Sequence, residues 1–166
     1  MLFRSLGELY RRLQSTPNGK YAFADFARYA PSYDAPAAFV GAPIVHGDER
    51  VGYIAFQMPV DRINAITTST EGLGETGEIV LVGADRRMRS DSRHQPETHS
   101  VDASFRKPAT GKLDLPVVAL AIDKGETGLA QITDDDGAAE LCAYAPLEVL
   151  DQRWCILGKV EAGEVF

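Results

Sequence analysis

The sequence predicts an α+β fold, in which antiparallel strands form a sheet and helices pack beside it. Leucines recur at helical spacing near the start of the chain. Further along, short apolar segments alternate with polar turns of hairpin length. In the second half, the order strand, strand, helix, strand, strand, strand favours one antiparallel sheet with helices on one face.

The first half is predicted to contain two helices and three strands. A helix is expected over residues 5–14, where Ser5 and Glu8 form a capping box that satisfies free backbone donors. The second and third strands form a hairpin across a polar turn. Pro59 then opens the second helix. The predicted strands cover residues 21–29, 38–45 and 51–57.

The second half is predicted to hold a complete sheet. A strand pair comes first, followed by a long polar stretch over residues 91–113. Asp114 is expected to cap a helix that stops at Gly125. Three strands close the chain. The predicted strands cover residues 78–82, 87–90, 128–133, 140–145 and 153–160.

A short internal repeat indicates two related units. The sequence Gly-Glu-Thr-Gly occurs at residues 74–77 and again at 125–128, each time after a helix and before a strand. We therefore predict a partial module over residues 1–70 and a complete module over residues 71–166. The first module lacks two opening strands, so we expect an open, less stable sheet in a chain that is a piece of a longer protein.

Composition excludes several classes of function. The 166 residues carry a net charge of −7 and no basic stripe, so nucleic acid is not an expected partner. No run approaches the roughly 20 apolar residues of a membrane helix. Cys142 and Cys155 do not match a zinc pattern. We expect both to be free, buried thiols, although an oxidising compartment would favour a disulfide.

Three motifs that suggest cofactor or metal chemistry have simpler readings. Residues 72–77 match G-x-G-x-x-G, but they follow a helix and enter a strand, the reverse of a dinucleotide site. The aspartates at 134–136 precede a glycine and indicate a turn rather than a calcium loop. His94 and His99 are expected in an exposed loop. No cofactor, metal site or catalytic residue is predicted.

The segment from Arg89 to Arg93 is the candidate ligand site. Arg89, Ser90, Ser92 and Arg93 combine two guanidinium groups with two hydroxyls where a strand enters the long loop. Arginine binds carboxylates through two hydrogen bonds, and hydroxyls fix their orientation. We expect a small anion or zwitterion there, with Tyr144 on a neighbouring strand. A solvated, charged strand end explains the same residues equally well.

Several segments occur in an order that is found in one family of sensor domains. They lie at residues 30–32, 36–39, 51–55, 74–78, 89–93 and 143–147, followed by a strand with Trp154. They are similar to the periplasmic double Cache region of methyl-accepting chemotaxis proteins and of some histidine kinases and cyclases. The resemblance covers nearly the whole chain, although the aromatic-arginine-aspartate signature of amino-acid-binding relatives is absent.

The resemblance implies a PAS-like (Cache) antiparallel sheet with flanking helices, as one complete module preceded by a partial one. It also implies an extracytoplasmic ligand-sensing or signal-relay domain of a bacterial transmembrane receptor. That domain would be a homodimer in the full receptor, on the periplasmic side of the inner membrane, and reach the membrane only through flanking segments. A cytoplasmic PAS-like regulatory or dimerisation module without a ligand is the alternative, and a small enzyme on the same sheet is a more distant one.

Overall fold

The computed structural model describes residues 4–69, 71–133 and 137–165. The chain forms two compact units. The first comprises the residues up to Pro59 together with Leu150–Gln152, and the second comprises Val60–Val149 and the residues from Arg153 onward. Among the described residues, no helix is long and apolar enough to cross a membrane.

The first unit is one helix on a three-stranded antiparallel sheet of order β1-β2-β3. The predicted hairpin is confirmed, since β2 and β3 pair from His46 opposite Glu49 to Phe39 opposite Gln57. A short 3-10 turn over Ala30–Ser32 separates the first two strands. The elements are α1 (Arg4–Ser15), β1 (Ala22–Arg28), β2 (Pro36–His46) and β3 (Glu49–Gln57).

The core of the first unit lies between α1 and one face of its sheet. Leu9 and Leu13 are buried against the inward side chains of β1 and β2, such as Ala24 and Phe39. Gly41 permits this close approach, because a Cβ at that position would lie 3.1 Å from methyl groups of both leucines. The leucine spacing in the sequence therefore builds this core.

Both ends of α1 differ from a simple capped helix. The predicted capping box is wrong, because the helix already includes Arg4 and so Ser5 lies inside it. Ser5 is buried, and its hydroxyl has no hydrogen-bond partner among the described residues. At the other end, Arg50 of β3 donates hydrogen bonds to the carbonyl oxygens of Leu13 (3.2 Å) and Thr16 (2.8 Å). Arg50 therefore caps the helix from the sheet.

The second unit contains a four-stranded antiparallel sheet of order β4-β7-β6-β5. Among the described residues, four helices accompany it, and α4 packs against β6. The elements are α2 (Val60–Thr67), β4 (Glu78–Val82), α3 (Val101–Arg106), α4 (Pro116–Lys124), β5 (Gly128–Thr133), β6 (Ala139–Val149), β7 (Gln152–Glu161) and α5 (Ala162–Val165). The predicted aspartate turn at 134–136 lies outside the described residues.

Helix α2 belongs to the second unit, although the sequence prediction puts it in the first module. Its Asn64 side chain forms two hydrogen bonds with Asp91. The amide nitrogen donates to the Asp91 carboxylate at 2.7 Å, and the Asp91 backbone N–H donates back at 2.9 Å. The polar loop of the second unit thus holds α2.

The segment after β4 is the least regular part of the second unit. The predicted strand at 87–90 is wrong, because only isolated bridges form there, such as that between Val82 and Met88. Helix α3 lies inside the polar stretch that was expected to be a loop. It is capped by the hydroxyl of Ser100, which accepts the backbone N–H of Ala103 at 3.2 Å.

Helix α4 ends as predicted but begins differently. Leu115 occupies its N-cap position, and Pro116 follows, so the predicted cap at Asp114 is wrong. Gly125 adopts a φ of 70° and closes the helix, which confirms the predicted end. A left-handed conformation of this kind favours glycine because it lacks a Cβ.

Candidate ligand-binding site

Arg89 faces the interior of the second unit. It is 2% exposed, and its guanidinium donates to a carboxylate oxygen of Asp85 at 3.0 Å and to the carbonyl oxygen of Arg87 at 3.0 Å. The guanidinium also stacks over the rings of Phe105 (5.5 Å) and Trp154 (5.7 Å). These contacts give Arg89 a structural role, because its charge is paired with a carboxylate and the plane of its guanidinium packs against two aromatic rings.

The Ser90 side chain is buried as well. Its hydroxyl oxygen accepts the backbone N–H of Leu81 at 2.8 Å, which replaces a ladder bond that a regular strand would supply. Gly83 gives the neighbouring arginine its space, since a Cβ there would lie 2.2 Å from the guanidinium carbon of Arg89. The backbone N–H of Gly83 donates to the carbonyl oxygen of Arg87 (2.9 Å), and that of Arg89 donates to Leu81 (2.7 Å), so backbone pairing and side chains together fix the segment.

Ser92 and Arg93 converge on Glu78 at the start of β4. The Ser92 hydroxyl and the Arg93 backbone N–H both donate to one carboxylate oxygen of Glu78, each at 2.8 Å. The Arg93 guanidinium donates to the carbonyl oxygens of Gly74 (3.3 Å) and Gly77 (3.1 Å). The structure thus brings two of the predicted residues together and separates them from Arg89.

Glu78 belongs to a buried ionic cluster with Lys159 and Glu140. The Lys159 ammonium lies 3.2 Å from Glu78 Oε1 and 3.0 Å from Glu140 Oε1. Burial alone would raise the pKa of Glu78, but the Ser92 hydroxyl, the Lys159 charge and the Arg93 amide together hold it below its usual value. Burial would lower the pKa of Lys159, but the two carboxylates raise it. Glu78 and Lys159 are therefore held in their charged forms.

Beside this cluster, an open groove runs over the sheet of the second unit. Its volume is about 690 Å³, and an adjoining groove of about 430 Å³ shares Leu129, Ala143 and Gly158 with it. Leu129 is 84% exposed, so the floor presents apolar surface to solvent. Tyr144, the fifth predicted residue, lines the smaller groove.

Charged side chains border one end of the larger groove, and apolar ones cover the rest. Glu78, Lys159 and Glu164 line it, which makes two carboxylates and one ammonium. The Arg93 guanidinium adds a second cationic group, because it binds the carbonyl oxygens of two glycines that line the same end. A rim that holds charges of both signs favours a ligand that carries both an ammonium and a carboxylate group. The polar end and the apolar floor together suit a small amphipathic molecule.

The ionic cluster is the main feature that sequence reasoning missed. A signal for it exists in the alternation of strand β4, where Glu78, Val80 and Val82 share one face. Both valines are buried, so a charged residue on the same face must be buried as well. Its partner Lys159 faces it directly across the β4–β7 ladder.

The fold is shared with known ligand-binding domains. One is that of the Pseudomonas fluorescens chemoreceptor CtaA in complex with L-leucine, with a TM-score of 0.57, 13% identity and coverage of 95% of this chain and 60% of that one. A second is that of the Pseudomonas aeruginosa amino acid chemoreceptor PctC in complex with GABA (TM-score 0.57, 15% identity, 92% and 60% covered). This chain has the fold of chemoreceptor ligand-binding domains.

A sensor kinase shares the fold as well. The neighbour is the extracellular domain of vpHK1S-Z8, which is described as a histidine kinase. The two structures superpose with a TM-score of 0.60 at 13% identity, over 95% of this chain and 56% of the kinase domain. The predicted fold class is thereby confirmed. The chain spans about three fifths of the length of these domains. No family model matches the sequence, and no curated protein matches it either.

Proposed function

We propose that this chain is an extracytoplasmic ligand-sensing or signal-relay domain of a bacterial transmembrane chemoreceptor or a related signal transducer, without catalytic activity of its own. The observation that carries the proposal is the likeness over 95% of the chain to the ligand-binding domain of a chemoreceptor. The sensor-kinase neighbour supports the same role with a different output. At these identities the likeness establishes the fold, and the function rests on it as an inference.

The ligand that this geometry favours is a small zwitterion in the groove of the second unit. The sequence alone favours an anion or a zwitterion. The rim favours the zwitterion, because its carboxylates attract an ammonium group and its cationic groups attract a carboxylate. Tyr144 lines the adjoining groove, and Arg93 holds the loop at the rim. Ser92 supports this region from within through its hydrogen bond to Glu78, whereas Arg89 and Ser90 hold the neighbouring segment after β4.

A thermal-shift screen against amino acids, organic acids and amines tests the proposal. A ligand that binds only the folded state stabilises it by about 2.7 kcal/mol at a hundred times its dissociation constant. For a chain of this size that corresponds to a rise in Tm of roughly 5–10 °C. We expect zwitterions to raise the Tm and simple carboxylates to have little effect.

Two glycine variants locate the binding site. Gly158→Leu fills the groove without backbone conflict, because a Cβ there meets its first neighbour at 4.0 Å. Gly52→Leu is the matched control on β3 of the first unit, where the first neighbour also lies at 4.0 Å. We expect Gly158→Leu to abolish the shift and Gly52→Leu to preserve it. Equal shifts in both variants would exclude the groove, and no shift with any compound would argue against ligand sensing.

We further propose that the domain lies on the periplasmic side of the inner membrane and acts as a homodimer in a longer receptor. The extracellular location of the sensor-kinase neighbour supports the first statement. Strand β3 supports the second, because it is an edge strand among the described residues and exposes Val51, Ile54 and Phe56. Exposed apolar edges favour association. Sedimentation equilibrium of Phe56→Lys should give less dimer than the unmodified chain.

A further inference from the structure

The carboxylate of Glu164 binds the glycine-rich loop that precedes β4. One of its oxygens accepts the backbone N–H of Glu75 at 2.8 Å, and the other accepts that of Thr76 at 2.8 Å. The Thr76 hydroxyl also donates to Glu164 and accepts the backbone N–H of Glu161 at 3.1 Å. Three donors from two consecutive residues thus converge on one carboxylate from the end of the second unit.

Glycines make the carboxylate's approach to the loop possible. Gly74 has a φ of +68°, and a Cβ there would lie 1.9 Å from Glu164 Oε1. At Gly77, a Cβ would lie 1.9 Å from the carbonyl oxygen of Leu73. The Arg93 guanidinium binds the carbonyl oxygens of both glycines, which leaves the intervening amides directed toward the carboxylate. This is the geometry of a backbone anion site.

The second Gly-Glu-Thr-Gly sequence shows that the four letters alone do not make this site. There the backbone N–H of Gly125 donates to Ala121 and that of Glu126 to Leu120, both at 3.1 Å. Those amides close helix α4. In the first copy the amides of Glu75 and Thr76 bind a carboxylate instead. The difference comes from the tertiary environment of the loop.

We propose that residues 74–77 form a carboxylate-binding site whose ligand is Glu164, and that this contact fixes the C-terminal segment α5 to the loop at the groove rim. The contact joins two sides of one groove, since Gly74 and Val165 both line it. We call the contact between Glu164 and residues 74–77 the latch. A compound that enters the groove contacts both sides of it. The latch forms within the chain, so it does not require a ligand in the groove.

The titration of Glu164 is consistent with this arrangement. Its pKa lies below the usual carboxyl value because the Thr76 hydroxyl donates to it, and because the two loop amides do so as well. A depressed pKa means that the contact is complete above the ordinary carboxyl pKa and is lost as the pH falls through the depressed one. The latch is therefore closed at neutral pH.

Nuclear magnetic resonance of the 166-residue chain tests the latch through the exchange of loop amides. Glu164→Gln removes the charge and one acceptor oxygen, and Glu161→Gln is the matched control, with the same charge change three residues earlier. We expect the amides of Glu75 and Thr76 to exchange about three- to tenfold faster in Glu164→Gln, because exposed charged hydrogen bonds are of modest strength. The control should leave both amides unchanged.

Threonine variants provide an independent test. Thr76→Val removes a hydroxyl that binds both Glu164 and the backbone of Glu161, whereas Thr127→Val makes the same change in the second copy, where the side chain is exposed. We expect only Thr76→Val to raise the pKa of Glu164 and to increase the mobility of α5 in relaxation measurements. Identical pKa values in both variants, or equal amide exchange in Glu164→Gln and Glu161→Gln, would overturn the proposal.

Discussion

Removing the charge of Lys159 should destabilise the second unit more than any exposed lysine substitution. In Lys159→Met, two carboxylates lose their ammonium partner, which lies 3.2 Å from Glu78 and 3.0 Å from Glu140. Glu78 is 2% exposed, so water cannot replace the lost partner there. Breaking a buried ion pair by removing one partner costs roughly 3–5 kcal/mol.

The remaining hydrogen bonds of Glu78 and the partial exposure of Glu140 place the expected loss of stability at the lower end of that range, about 3 kcal/mol. Glu78 keeps its hydrogen bonds from Ser92 and Arg93 in the variant. The Glu140 side chain is 11% exposed, so it regains some hydration. Glu140→Gln in the Lys159→Met background should recover part of the loss, because it removes the repulsion between two unpaired carboxylates.

Urea unfolding followed by fluorescence measures this loss selectively. Trp154 is the single tryptophan of the chain, and it is buried on β7 of the second unit. Lys124→Met, at an exposed position in α4, is the control. A loss below 1 kcal/mol, or equal losses in Lys159→Met and Lys124→Met, would refute the account of the ionic cluster.

The pH dependence of the unmodified chain follows from the same cluster. The pKa of Glu78 is depressed, so its contribution is complete above pH 4.5 and is lost as the pH falls through the depressed value. The pKa of Lys159 is raised, so its contribution is complete below pH 10.5 and is lost as the pH rises through the raised value. Stability should therefore decline below about pH 4.5, and the decline should be smaller in Lys159→Met.

Three further measurements test other parts of the structure. Cys142 and Cys155 should react with thiol reagents only after unfolding, because burial raises the pKa of each thiol to about 11. Both thiols are free, so reduction should not change the intact mass, and a gain of two hydrogens would contradict this. Arg50→Ala should destabilise the first unit by about 2 kcal/mol in calorimetry, since it leaves carbonyls of α1 uncapped. Amides over 51–57 should exchange faster than those over 140–145, because β3 is a largely exposed edge strand and β6 an interior one.

Secondary structure was predictable wherever local pattern and turn chemistry agreed. Strands β4 and β5 have the predicted bounds because glycine-rich turns precede them and their apolar residues are continuous or alternate. The six-residue α3 was missed because it has only two buried apolar residues, Val101 and Phe105, and lies in a polar stretch. The capping box at Ser5 failed because the helix already includes Arg4, so Ser5 lies inside it and is buried.

The site was less predictable than the fold because its contacts are distant in sequence. Ser92 and Arg93 were identified, but the residue that joins them, Glu78, lies 14 and 15 positions earlier. Glu164 contacts Thr76 across 88 positions. Arg89 was expected to face a ligand, yet the alternation that would have shown its direction is lost where the predicted strand becomes isolated bridges.

A ¹⁵N–¹H titration of the chain with the zwitterion that gives the largest thermal shift tests the sensor hypothesis most directly. The account predicts saturable shifts in the amides of Leu129, Ala143 and Gly158, which line both parts of the groove. In the Gly158→Leu variant, we expect no saturable shifts in the remaining groove amides. Saturable shifts confined to the first unit, or no saturable shift with any compound of the screen, would contradict it.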